Sequence, residues 1–128
     1  MVRLHSADRG PAPVGPYSQA TSGGGLIFVS GQIPAVAGLE DQPDEFPEQV
    51  RQTLRNLSAA LDGLGSGIEK VLKVNAYLTD KSQLRPFNDV FAEFFGDIRP
   101  SRTTVCVELW DISLEIECVA LGPTSKGQ

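Results

Sequence analysis

The sequence holds one histidine, one methionine, one tryptophan and two cysteines in 128 residues, and it has no long apolar run. The single histidine, His5, lies near the N-terminus, which removes the usual zinc, Cys-His and Ser-His chemistries, so no metal site is expected. Cys106 and Cys118 lack metal-like or redox-like spacing and sit in apolar, strand-like runs, where small buried side chains are expected. Positive charge is scarce as well. Eleven Lys and Arg face sixteen Asp and Glu, and the net charge of −5 opposes the broad phosphate neutralisation that nucleic-acid binding requires. Without an apolar stretch of bilayer length no spanning helix is expected. The opening Met1-Val2-Arg3-Leu4-His5-Ser6 is not followed by the apolar core of a secretory signal, so the expected location is cytoplasmic.

What is present fits one soluble globular domain over residues 1–128: 41% hydrophobic and 21% charged residues on a chain long enough for a single core. Residues 1–16 are rich in Pro and Gly, so an irregular N-terminus is expected over 1–12, and a flexible tail over 122–128. A short strand is expected at 17–21. Ser22-Gly23-Gly24-Gly25 then turns the chain into the apolar Leu26-Ile27-Phe28-Val29-Ser30, a hairpin. No G-K-[ST] follows these glycines, so they read as a turn and not as a phosphate cradle. From Pro47 onward, Val50, Leu54, Leu57, Leu61 and Leu64 recur at helical steps and predict an amphipathic helix. A strand follows at 68–78. A second helix carries Leu84, Phe87, Val90, Phe91, Phe94 and Phe95 and is stopped by Gly96 and Pro100. Asn88 shares or edges its apolar face, either as a structural anchor or as an amide aimed into a site.

Two further strands close the chain, Arg99-Pro100-Ser101-Arg102-Thr103-Thr104-Val105-Cys106-Val107 and Leu114-Glu115-Ile116-Glu117-Cys118-Val119. The order β-β-α-β-α-β-β predicts an α+β, two-layer sandwich with both helices on one face of a mixed sheet. The other face is left for a second copy, so a homo-oligomer is expected. Period-2 alternation aligns Arg102, Thr104 and Cys106 on one face of the first of these strands, and Glu115 with Glu117 on one face of the second. The two strands are expected to be neighbours, and if those faces coincide and point into a pocket, Arg102 could grip a small carboxylate while Glu115 handles a water. A cross-strand ion pair on a wet sheet accounts for the same spacing.

Several separated motifs are more specific. Val14-Gly15-Pro16-Tyr17-Ser18-Gln19-Ala20, Phe28-Val29-Ser30-Gly31-Gln32-Ile33-Pro34, Phe87-Asn88-Asp89-Val90-Phe91-Ala92-Glu93-Phe94-Phe95-Gly96, Pro100-Ser101-Arg102-Thr103-Thr104-Val105 and Leu114-Glu115-Ile116-Glu117 occur in this order. From about residue 11 to 121 the chain closely resembles the reactive intermediate deaminase (RidA/YjgF) family. The resemblance implies a chorismate-mutase-like fold and a homotrimer whose sheets form a central β-barrel, with active sites in clefts between subunits. It implies 2-iminobutanoate/2-iminopropanoate deaminase activity without a cofactor: enamines and imines such as 2-aminoacrylate and its imine tautomer are hydrolysed to 2-keto acids and ammonia. Carried over, Arg102 would bind the substrate carboxylate through two parallel hydrogen bonds, and Glu115 would hold or activate the water. Tyr17, Ser30, Gly31, Asn88 and Thr104 would line the cleft.

The chain departs from the family pattern at three places. Thr104 stands where cysteine is frequent. The link Glu108-Leu109-Trp110-Asp111-Ile112-Ser113 is shorter than usual, so Trp110 is expected to reshape the cleft rim. Residues 35–46 lack the usual Asp-rich, Thr-Gly turn. Two other functions stay open on these residues: a ligand-binding or regulatory trimer for small 2-keto or imino acids, favoured by the Trp110 turn, and a ribonuclease, opposed by the acidic balance.

Overall fold

The computed structural model describes residues 2–5, 11–36 and 41–123. Strand β1 is Arg3–His5, β2 Ala20–Gly23 and β3 Leu26–Gln32; helix α1 is Phe46–Asp62; β4 is Val71–Leu78, α2 Leu84–Phe95, β5 Ser101–Cys106 and β6 Leu114–Leu121. Short 3-10 turns at Ile68–Lys70 and Lys81–Gln83 lead into β4 and α2. The strands form one six-stranded sheet in the order β1-β2-β3-β6-β4-β5. Only the β4–β5 pairing is parallel, with α2 as the crossover between them.

Local sequence explains most of these elements. Gly24 and Gly25 both take positive φ (61° and 81°) in the two-residue loop between paired Gly23 and Leu26, the geometry of a tight hairpin that only glycine enters freely. α1 starts with Pro47 in its first turn. Its stripe Val50, Leu54, Leu57 and Leu61 is fully buried, and Leu64 packs beside it partly covered. α2 is entered through a capping box, with Asp80 accepting from the Ser82 amide at 2.8 Å and Gln83 Oε1 accepting from the Asp80 amide at 3.1 Å. Phe87, Val90, Phe91 and Phe95 face the core, whereas Leu84, expected in that stripe, sits exposed in the first turn.

Both helices lie on one face of the sheet, over Ile27, Val29, Val74, Ala76, Leu78, Leu114, Ile116, Cys118 and Ala120. The other face carries Phe28, Lys73, Asn75, Tyr77, Glu115, Glu117 and Val119, and among the described residues no helix covers it. This is the two-layer α+β arrangement expected from the pattern of elements.

The structure corrects further expectations, the first being the strand expected at 68–78, which begins at Val71 because Ile68–Lys70 forms a 3-10 turn. Arg3–His5 is a strand paired with β2, because the edge of the β2–β3 hairpin offers free backbone groups even to a three-residue segment. The first hairpin strand is Ala20–Gly23 and not 17–21, since Gly23 and Leu26 flank the two-residue loop and set the register. Cys106 is exposed while Cys118 is buried, because β5 is the edge strand and Cys106 ends it. Most consequential, β4 lies between β5 and β6, so the strands that carry Arg102 and Glu115 are not neighbours. Residues 35–46, which lack the family's usual turn, the N-terminal segment and the tail fall partly outside the described residues.

Candidate active site in two halves

Register places the two charged residues on opposite faces of the sheet. Arg102 stands beside Val74, which is fully buried under the helices. Glu115 stands beside Tyr77, on the uncovered face. A single protomer therefore does not bring Arg102 and Glu115 together, and the cross-strand ion pair does not form. The site residues divide into two groups.

The first group lies where the edge strand β5 meets α2. The Arg102 guanidinium lies over two neighbouring rings, with Cζ 5.1 Å from the Phe87 centroid and 4.8 Å from that of Phe91, and its Nη2 donates to Asn88 Oδ1 at 2.6 Å. The amide of Asn88 is thus used to orient the guanidinium and is not a buried anchor. No carboxylate among the described residues pairs with Arg102. Burial among the rings pulls its pKa below the ordinary value, so it is a partly desolvated cation without a counterion. Thr104, two residues on and on the same face, has a buried Oγ1 with no hydrogen-bond partner. Such a constellation has the charge and geometry to take up a planar anion.

The second group surrounds a small cleft lined by Tyr17, Ser30, Gly31, Trp110 and Glu115, closed by Val14 and Ile33. It encloses about 40 Å³, room for only a few water molecules. Ser30 is fixed by its backbone amide donating to Gln19 O at 2.9 Å and its Oγ donating to Ser18 O at 2.7 Å. The pairing of β3 with β6 shifts between Val29 and Gln32, which stand opposite Cys118 and Ile116. Ser30 and Gly31 thus occupy a β-bulge, the device that re-aims strand residues at sites.

Burial raises the Glu115 carboxyl above the ordinary carboxylate range, and the nearby Glu117 charge raises it further. Glu117 itself accepts from Tyr77 Oη at 3.0 Å and from Asn75 Nδ2 at 3.3 Å, and burial together with that carboxylate pushes the Tyr77 phenol up. The Trp110 turn is held in place where Gln42 Nε2 donates to Asp111 O at 3.2 Å, and Asp111 adopts a positive φ of 42°.

Of the seven residues expected at the site, Arg102, Asn88 and Thr104 meet at one place and Tyr17, Ser30, Gly31 and Glu115 at another. The expectation missed the Pro11 to Val14 wall of the cleft and the bulge. The proline-rich run ahead of Tyr17 signals the wall; nothing local signals the bulge. Among the described residues there is no metal-binding cluster of His, Cys, Asp and Glu, and no helix is long and apolar enough to cross a membrane.

The family model described as Endoribonuclease L-PSP matches residues 7–122. A RutC family protein of Pyrococcus horikoshii is 38% identical over 123 residues, covering 94% of this chain and 98% of the relative. The mitochondrial protein mmf2 of Schizosaccharomyces pombe is 43% identical over 111 residues, covering 83% and 87%. TdcF of Escherichia coli, named as a proposed reactive intermediate deaminase, is 30% identical over 126 residues, covering 94% and 98%. The crystal structure of TdcF with bound serine superposes with a TM-score of 0.87, at 30% identity over 93% of this chain and 98% of that one.

Proposed function

The chain belongs to the reactive intermediate deaminase (RidA/YjgF) family, whose model is described as Endoribonuclease L-PSP, and from that membership we propose that it hydrolyses small reactive imines and enamines that carry a carboxylate, such as 2-iminopropionate and 2-aminoacrylate. The products are a 2-keto acid and ammonia. One observation carries the reading: a partly desolvated guanidinium, without a counterion among the described residues, and a carboxylate of raised pKa are built on opposite faces of one protomer. Each is half of a site that a second copy completes. The assembly proposed is a homotrimer, with the uncovered sheet faces turned inward as a barrel and each cleft taking Arg102 from one subunit and Glu115 from the next.

In this site Arg102 holds the substrate carboxylate with two parallel hydrogen bonds, in an orientation set by Asn88, and Thr104 Oγ1 gains a partner. The protonated imine carbon is already electrophilic, so placement and proton handling suffice. Water attacks that carbon and passes a proton to Glu115. The resulting carbinolamine collapses as Glu115 returns that proton to nitrogen: the C–N bond breaks and ammonia leaves. The hydroxyl proton passes to the freed Glu115 carboxylate as the C=O bond of the keto acid forms, and is lost with the departing ammonia as ammonium. Burial raises the pKa of this carboxyl, so it takes up a proton more readily than an exposed one and can hold it between the two transfers. TdcF has been crystallised with serine, a small molecule bearing the carboxylate that Arg102 would take. The net charge of −5 weighs against RNA as the substrate. A cytoplasmic location belongs to the same reading, with the mitochondrial label of mmf2 marking the competing compartment.

The test generates 2-iminopropionate in place with a pyridoxal-phosphate dehydratase, traps it with semicarbazide and compares wild type with Arg102→Ala. Keto-acid release should be accelerated by wild type and fall about 10³-fold in the variant, which loses an oriented ionic anchor. Binding of 2-keto acids without any acceleration by wild type would instead make the chain a carboxylate-binding protein.

A further inference from the structure

Glycine at position 31 is required by something other than its own backbone. Among the described residues the positive-φ glycines are Gly24, Gly25, Gly65 and Gly96, and Gly31 is not among them, so its backbone is open to any L-residue. What a side chain there would meet is Glu115. A Cβ on Gly31 would stand 1.8 Å from Glu115 Oε1, 2.6 Å from its Cδ and 2.8 Å from its Cγ. The carboxylate of Glu115 therefore lies directly on the bare Cα of Gly31, in space that any other residue would fill. The β-bulge supplies this contact, because the extra residue of β3 turns Gly31 toward the β6 carboxylate.

We propose that Gly31 is a positioning residue for the deamination: its missing side chain is the seat that holds the Glu115 carboxylate in the cleft. The inference rests on the role given to Glu115 in the proposed function. Alanine at 31 would evict the carboxylate without straining the strand, because the atoms in its way are the far end of a flexible side chain. The groups that face Glu115 set where it goes. Glu117 beside it on β6 repels it, Tyr77 stands opposite on β4, and Tyr17 lines the cleft. The way left open is outward to water. There the desolvation that raises its pKa is relieved, and the carboxylate no longer reaches the attacking water.

The experiment compares wild type, Gly31→Ala and Glu115→Gln as assembled proteins labelled with 13C-carboxyl glutamate. The Glu115 resonance is identified by its loss in Glu115→Gln. In Gly31→Ala the midpoint of that resonance should fall toward the ordinary value of about 4.3. Over the same comparison kcat should drop about 10²-fold while KM, set by the Arg102 contact, stays within about twofold. A midpoint that stays at the wild-type value overturns the inference even if kcat falls, since Gly31 would then act through its main chain or the fold. An unchanged kcat overturns it even if the midpoint moves. Full activity in Glu115→Gln is a different failure: it removes the catalytic role of Glu115 and with it the proposed function, whereas an inactive Glu115→Gln beside an unimpaired Gly31→Ala refutes the seat alone.

Discussion

Arg102 is enclosed by Phe87, Phe91 and Asn88, and Glu115 by Gly31 and Glu117, so each charge is kept partly out of water by its own neighbours. That arrangement costs stability, and the cost is readable as a pH dependence. Glu115 has a folded pKa above its unfolded value, so its contribution to stability is intact below the unfolded pKa of about 4.3 and is lost as pH rises through the folded one. Glutamine, neutral at every pH, does not suffer this loss. Glu115→Gln should therefore match wild type in urea midpoint near pH 4 and become the more stable protein by pH 7. A gap that closes as pH rises would mean that Glu115 is stabilised by its surroundings and not held against them. Sequence alone gave the identity of both charges and their alternation along each strand. It could not give their faces relative to each other, because that depends on which strand lies between them.

At the level of elements, the wall of the cleft is fastened to α1 by one side chain. Asn56, 3% exposed, donates through Nδ2 to Ile33 O at 2.9 Å and Ala35 O at 2.8 Å, and its Oδ1 accepts from Gln52 Nε2 at 3.0 Å. Asn56→Ala leaves two carbonyls behind β3 without their donor and should lower unfolding free energy by about 1–3 kcal/mol, measured by urea denaturation. A change below about 0.5 kcal/mol would show that water replaces the amide without loss. Helices were legible because burial imposes a period: Val50, Leu54, Leu57 and Leu61 announce α1, and Phe87, Val90 and Phe91 announce α2. β6 was equally plain. β1 and the bulge at Ser30 and Gly31 were not, since a three-residue edge strand and one extra residue in a ladder follow from pairing across the sheet, and local sequence carries no period for them. Asn56 was hidden for a related reason: its partners are backbone carbonyls more than 20 residues away.

For the molecule as a whole, the uncovered face and the separation of Arg102 from Glu115 both fit the proposed homotrimer. Phe28, 45% exposed, and Val119 lie on that face among the polar Asn75, Tyr77 and Glu117, a mixed surface suited to pairing with its own kind. The most direct measurement mixes two variants that the proposed site makes inactive. Arg102→Ala and Glu115→Gln are each unfolded, combined in equal amounts and refolded together, then assayed for imine hydrolysis. If every cleft takes Arg102 from one subunit and Glu115 from its neighbour, random assembly leaves about a quarter of the clefts with both native residues, and about a quarter of wild-type activity should return. Activity no greater than that of the two variants refolded separately, with trimers re-formed, would contradict a site shared between subunits.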